Sequence, residues 1–147
     1  MHYKIEIIGE PKGQPRPRAF ARKMGAKYVA RVYDADTADE WKRAVSVACC
    51  HTKYGALEGA SHAPFSVRMQ FGFTRPKSHF TKKGALTLNC LADHTKRPDI
   101  DNLVKAVMDA VTNTQLFWVD DSQVVELLAS KKWVEGSSRC LLEIQSI

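Results

Sequence analysis

Only one long stretch of the chain alternates strictly between apolar and polar positions. Phe65, Val67, Met69, Phe71 and Phe73 are interleaved with Ser66, Arg68, Gln70, Gly72 and Thr74, the period of two that turns one face of a strand into a core. A shorter alternation, with Tyr3, Ile5 and Ile7 on one side, predicts an opening strand over residues 3–8. The helical period occurs twice. Ile100, Leu103, Val104, Val107, Met108 and Val111 recur three and four apart, an apolar stripe that predicts a helix whose start is marked by Pro98 and Asp99. Thr37 and Glu40 are spaced as a capping box ahead of Trp41, Ala44, Val45 and Ala48, so another helix is predicted over residues 38–53, with Trp41 as a core anchor. After a turn around residues 113–115 comes the apolar run Leu116-Phe117-Trp118-Val119. The segments 124–132 and 139–145 then flank Glu135-Gly136-Ser137-Ser138 and read as a hairpin.

The predicted order is β-α-β-α-β-β. No internal repeat or second domain interrupts it, so the expectation is a single domain over residues 1–147 of the α/β (α+β) class, a mixed β-sheet with two helices packed on it. Two segments stand outside this scheme. The prolines at 11, 15 and 17 forbid a helix or central strand, which makes residues 11–18 a loop. Residues 75–97 form a long, weakly patterned connection carrying Lys77, Lys82, Lys83, Lys96 and Arg97. A basic connection of that length in a compact domain reads as a substrate loop. His79 and His94 within it have no partner spacing and read as surface residues.

Composition narrows the class. With 147 residues, 44% hydrophobic and 26% charged, the chain suits one globular domain. It contains no stretch of about 18 continuous apolar residues and no basic-then-apolar leader, so the reading is cytosolic with no membrane partner. Cys49, Cys50, Cys90 and Cys140 lack the paired spacing of a structural zinc site and read as reduced, small apolar fillers. Dinucleotide, P-loop and serine-hydrolase motifs are absent.

Charge points to a partner. The formal net charge of +6 divides into +10 over residues 1–98 and −4 over residues 99–147. Lys12, Arg16, Arg18, Arg22, Lys23, Lys27 and Arg31 follow one another with no acid between them, interleaved with Phe20 and Tyr28. Cations among aromatics suit phosphate and base contacts, so a nucleic acid is the predicted ligand.

The second part concentrates carboxylates. Asp99 takes the capping position of the predicted helix and Asp101 its first turn, while Asp101, Lys105 and Asp109 share one stripe four residues apart. Spacing alone leaves two readings open. In one, Asp99 caps, Asp101 pairs with Lys105, and Asp120-Asp121 makes a turn. In the other, Asp99, Asp101 and one of Asp120 or Asp121 offer oxygen ligands to magnesium or manganese, and Lys105 stabilises charge building on a scissile phosphate.

At these residues the chain resembles a known family. Arg97-Pro98-Asp99-Ile100-Asp101-Asn102-Leu103-Val104-Lys105-Ala106-Val107-Met108-Asp109-Ala110, followed by Trp118-Val119-Asp120-Asp121-Ser122-Gln123-Val124-Val125-Glu126, is similar to the RusA family of Holliday junction resolvases. Pro11-Lys12-Gly13 with Arg16-Pro17-Arg18 is also similar to the longer, phage-type members. The resemblance implies a homodimeric, magnesium-dependent endonuclease, with manganese a possible substitute, that makes paired symmetric nicks in four-way DNA junctions. It assigns metal binding to Asp99, Asp101 and Asp121, catalysis to these acids with Lys105, and supporting roles to Asp120 and Asn102. Attack by an acidified water in line with the phosphodiester is the expected chemistry. Arg16, Arg18, Lys82, Lys83 and Arg97 are the expected phosphate contacts. Competing expectations are a non-catalytic nucleic-acid-binding module using residues 12–31, and a nuclease acting on other branched DNA.

Overall fold

The computed structural model describes residues 1–16, 18–33, 38–53 and 59–147. Among them run the strands β1 (His2–Ile8), β2 (Arg18–Met24) and β3 (Lys27–Tyr33), the helix α1 (Asp39–Thr52), β4 (Phe65–Thr74), the helix α2 (Ile100–Thr114), β5 (Val124–Val134) and β6 (Arg139–Ser146). The main sheet has the order β1-β6-β4-β5, with β4 parallel to β5 and antiparallel to β6. The fold is thus a mixed sheet with two helices, as the periodicities predict. Thr37, the predicted cap of α1, lies outside the described residues; Ala38 holds the N-cap position without a side-chain bond.

One pairing differs from expectation. β5 and β6 are both strands, but they do not form a hairpin, because β4 lies between them. The alternating apolar face of β4 is buried throughout, and a strand with a neighbour on each side is where such a face is best covered. The link Glu135-Gly136-Ser137-Ser138 therefore steps across a strand. Gly72 makes room where Val134 enters that link: a Cβ there would stand 2.7 Å from a Val134 methyl.

A further pair of strands was not legible. β2 and β3 form an antiparallel sheet of their own, turned at Gly25 with φ +63°. Every described side chain from residue 21 to 30 is exposed, so among these residues no buried face writes an apolar pattern into the sequence.

Both helices contribute to one core against β1, β4 and β6. Trp41, Val45 and Cys49 from α1 and Leu103, Ala106, Val107, Ala110 and Val111 from α2 meet Ile5, Ile7, Phe65, Val67, Met69, Phe71, Leu142 and Ile144. Burying apolar surface of this kind contributes about 25 cal/mol per Å². The opposite sheet face is wet and carries the cross-strand pairs Lys4–Glu143 at 3.4 Å and Arg139–Glu6 at 3.9 Å. Cys49 and Cys140 are core fillers as expected, and burial pushes both thiols up to about 12. Cys50 is exposed, and the half-buried Cys90 lies 2.8 Å from the Thr87 hydroxyl. Among the described residues no helix is long and apolar enough to cross a membrane.

The 75–97 connection has more order than its composition suggests. It forms a short 3-10 helix at Lys77–His79 and then docks on β5, where Trp133 N–H donates to Ala92 O at 2.9 Å and His94 N–H to Lys131 O at 3.2 Å. The histidines are consequently drawn into the protein, His94 fully and His79 in part. His94 is only 6% exposed, with ring centroids 4.2 Å from Phe73 and 4.3 Å from Trp133. Burial, then the nearby Lys131 charge, holds its imidazole below the usual histidine range. His79 is half-buried, edge-on to Trp133 at 4.9 Å. Stacking on aromatics placed by β4 and β5 is a tertiary effect with no local sequence mark.

Candidate active site

The two acid-bearing segments are held by different devices. α2 starts where Asp99 adopts an extended N-cap conformation (φ −71°, ψ 143°), yet its carboxylate makes no capping bond. Asp101, one turn inside, faces Arg16 with Nη2 to Oδ2 at 3.3 Å. Lys105 turns forward to Asp109 at 3.1 Å, and Lys42 from α1 approaches the same carboxylate at 3.9 Å. The structural reading of the spacing, a capping Asp99 and an Asp101–Lys105 pair, is therefore not what forms.

At the other segment the turn does form. Asp120 accepts from Ser122 N–H at 2.9 Å and, with Gln123, completes a capping box over the 3-10 turn Asp121–Gln123. Hydrogen bonds from Ser122 hold the Asp120 carboxyl below its ordinary value. Asp120 is thus occupied in shaping the turn, and the exposed Asp121 projects from it.

Three residues given no role by the sequence position these segments. Gln123 accepts from Val119 N–H at 2.9 Å and Asp120 N–H at 3.1 Å, and donates to Ser61 O at 2.8 Å and Ala63 O at 3.0 Å. Lys131 on β5 donates to Lys96 O and Pro98 O, both at 2.7 Å, clasping the loop that leads into Asp99. Gly13 lies against α2: a Cβ there would stand 3.0 Å from Asn102 Cβ and 3.4 Å from Pro98 Cβ. Gln14 N–H donates to Asn102 O at 2.8 Å, so Asn102 anchors the 11–16 loop. Gln123 could have been singled out from its place in the Asp-Asp-x-Gln string; Lys131 had no comparable mark.

Between α2 and β5 runs a groove of about 520 Å³ lined by Asp101, Val104, Lys105, Asp109, Asp121 and Leu127, among others. Asp99 opens instead on a neighbouring cavity of about 340 Å³ with Gly13, Gln14, Arg97 and Asn102. Arg16 and Arg97 thus lie at the acids. Lys82 and Lys83 sit exposed on a separate turn, and Arg18 opens β2 with its side chain outside the described residues.

The length of α2 separates the acids. At 1.5 Å per residue its 15 residues span roughly 22 Å. Asp99 stands at its first end, while the 119–123 turn is tied to its last, where Gln115 Nε2 donates to Val119 O at 3.0 Å. β5 gives a matching ruler: seven residues from Lys131, bonded beside Asp99, to Val124, beside Asp121, cover roughly 23 Å. Among the described residues, no three His, Cys, Asp or Glu side chains converge closely enough to hold a metal. The donor chemistry suits magnesium, but the three acids of one chain do not fit around one ion.

Sequence comparison bears on what the groove does. The family described as Endodeoxyribonuclease RusA matches residues 9–145. The chain belongs to the RusA endodeoxyribonuclease family. It is therefore a nuclease by family, in keeping with the resemblance at residues 97–126. This RusA-family chain is similar to the uncharacterized protein YqaN of Bacillus subtilis, 34% identical over 137 residues, covering 90% of this chain and 88% of that protein. It is also similar to the crossover junction endodeoxyribonuclease RusA of Escherichia coli K12, 39% identical over 59 residues, which cover 40% of this chain and 48% of that protein. The RusA of Enterobacteria phage 82 matches to the same extent.

Proposed function

We propose that this chain, as one domain over residues 1–147, is a cytoplasmic, structure-specific endonuclease that resolves four-way DNA junctions by paired symmetric nicks in recombination and repair. The observation that carries the reading is the α2–β5 groove, where Asp101, Lys105, Asp109 and Asp121 line one surface beside a basic chain segment, in a member of the RusA family. Free cysteines suit a reducing compartment.

Within the groove the exposed Lys105 ammonium offsets negative charge as it builds on the scissile phosphate. Asp120 and Asn102 support the site, the first by shaping the turn under Asp121 and the second by anchoring the 11–16 loop. Arg16, Arg18, Lys82, Lys83 and Arg97 hold the DNA backbone, positioning it rather than reading its sequence. Magnesium, with manganese as a substitute, is proposed from the oxygen-donor chemistry of Asp99, Asp101 and Asp121, although the three do not meet around one ion within one chain. A homodimer is proposed because a symmetric junction calls for two active sites, related by a two-fold.

The test is a nicking assay on a synthetic mobile four-way junction beside a linear duplex of the same sequence, in magnesium and in calcium, with Asp121→Asn as control. Symmetric nicks confined to the junction, dependent on magnesium and on Asp121, are expected, with junction binding by the variant retained. Cutting of flaps, forks or duplex instead would keep the nuclease and change its substrate. Junction binding with no cutting in magnesium or manganese would overturn the reading in favour of a binding module.

A further inference from the structure

We propose that a cavity formed by the ends of β4 and β5 with residues 94–98 receives a single unstacked base of the DNA strand whose phosphate lies at Asp99. The proposal rests on the nuclease reading and adds to it a contact that fixes where along a strand the nick falls. The cavity, of about 470 Å³, is lined by Glu10, Phe73, Thr74, His94, Arg97 and Trp133, among others, a size within the usual range of small-ligand sites. Arg97 and Pro98 line both this cavity and that of Asp99, so the two spaces share a wall. A strand held by Arg97 therefore has a place for a phosphate in one and room for the adjoining base in the other.

The lining suits a base better than any other part of a nucleic acid. Phe73 and His94 are buried and form the floor, their rings stacked with centroids 4.2 Å apart and 27° between planes, and the half-buried Trp133 tilts against His94 at 4.3 Å. Aromatic surface at the bottom of an open cavity replaces the neighbours that a base loses on leaving the stack. His94 Nδ1 is buried with no hydrogen-bond partner, which in a finished core would be a standing cost. Burial, then the Lys131 charge, keeps this imidazole neutral at pH 7, so it offers a hydrogen bond to a base edge and no charge to a phosphate. Glu10, paired through one oxygen with Lys12 at 3.4 Å, adds a carboxylate that accepts from a base N–H and repels a phosphate. Arg97, exposed at the rim, is the group that holds the backbone.

The walls are held without a ligand. The Thr74 hydroxyl donates to Gly136 O at 2.8 Å and lies 3.0 Å from the Ser138 hydroxyl, which accepts from Thr74 N–H at 2.9 Å. Trp133 N–H donates to Ala92 O and His94 N–H to Lys131 O, so the connection carrying His94 is pinned to the strand carrying Trp133. A cavity fixed in this way loses little freedom when it is filled. Taking a base out of the stack costs least where stacking is already interrupted, as at the exchange point of a four-way junction. The same cavity would therefore favour a junction over a linear duplex.

The test uses the full chain bound in calcium to a four-way junction that carries 5-iododeoxyuridine at successive positions around the scissile phosphate. Ultraviolet cross-linking should peak at one position, and mass spectrometry should place the adduct on Phe73, His94 or Trp133. An abasic residue at that position should weaken junction binding by wild type roughly tenfold, the scale of one stacked base. Thr74→Phe, which fills the cavity from its exposed rim, should lose the cross-link and bind the abasic and the intact junction alike. His94→Phe, which keeps the ring stack and removes both nitrogens, gives a second comparison and should shrink the abasic penalty. Adducts confined to the β2–β3 hairpin or the 82–83 turn, or an abasic junction bound by wild type as tightly as the intact one, would overturn the inference. Nicking in magnesium by that same protein would leave the nuclease reading standing. Cross-linking in the cavity by a protein that never nicks would support the base pocket and overturn the nuclease reading.

Discussion

Lys105 separates catalysis from stability at the scale of one side chain. Its ammonium is 63% exposed and pairs with Asp109 at 3.1 Å, a helix-surface pair worth well under about 1 kcal/mol to the fold. Its position in a groove lined by Asp101 and Asp121 matters far more to a phosphate. Lys105→Ala should therefore lower the junction nicking rate by roughly 10²-fold or more, the usual effect of losing one charge-stabilising donor, while leaving the thermal midpoint nearly unchanged. A rate within a fewfold of wild type would reduce Lys105 to a surface pair. Asp99, Asp101, Lys105 and Asp121 were singled out by the family string at residues 97–126, since local spacing alone left two readings open. Their partners were not: Arg16, not Lys105, meets Asp101, and Lys131 acts through the carbonyls of residues far away in sequence. Such bonds depend on which strand lies beside which loop, and that is decided by the packed core.

At the scale of elements, the 118–123 turn shows how one side chain fixes an orientation. Gln123 uses both ends of its amide, so its loss leaves Val119 and Asp120 N–H and the Ser61 and Ala63 carbonyls without their partner. Gln123→Ala should cost about 1–3 kcal/mol in urea denaturation. Nicking should fall further than that loss explains, because the turn presenting Asp121 loosens, while junction binding stays near wild type. Unchanged nicking by the folded variant would mean that Asp120 and Ser122 hold the turn alone. The elements themselves were largely legible: the alternation in β4 and the stripe of α2 each encode a single buried face. Alternation names a strand but not its neighbour, so the pairing of β5 and β6 was misread where β4 separates them. β2 and β3 escaped for the complementary reason, since their described side chains over residues 21–30 are all exposed and leave no period to read.

For the whole molecule, charge distribution decides how DNA is held. Part of the excess of +10 over residues 1–98 lies on the β2–β3 hairpin with the adjoining Arg16, and part on the exposed turn carrying Lys82 and Lys83. Arg97 lines the cavity of Asp99. If Arg16, Arg18, Lys82, Lys83 and Arg97 each neutralise one phosphate, counterion release gives a log-log salt slope of about −0.9 per contact, or about −4.5 per subunit. Junction binding measured in calcium between roughly 50 and 200 mM salt should show that steepness. Lys82→Ser/Lys83→Ser should then flatten the slope by about 1.8 and weaken all junction sequences alike, because phosphate contacts carry no base information. A slope unchanged by the double substitution would take the 82–83 turn out of the footprint and leave the hairpin side of the molecule as the surface that carries the DNA.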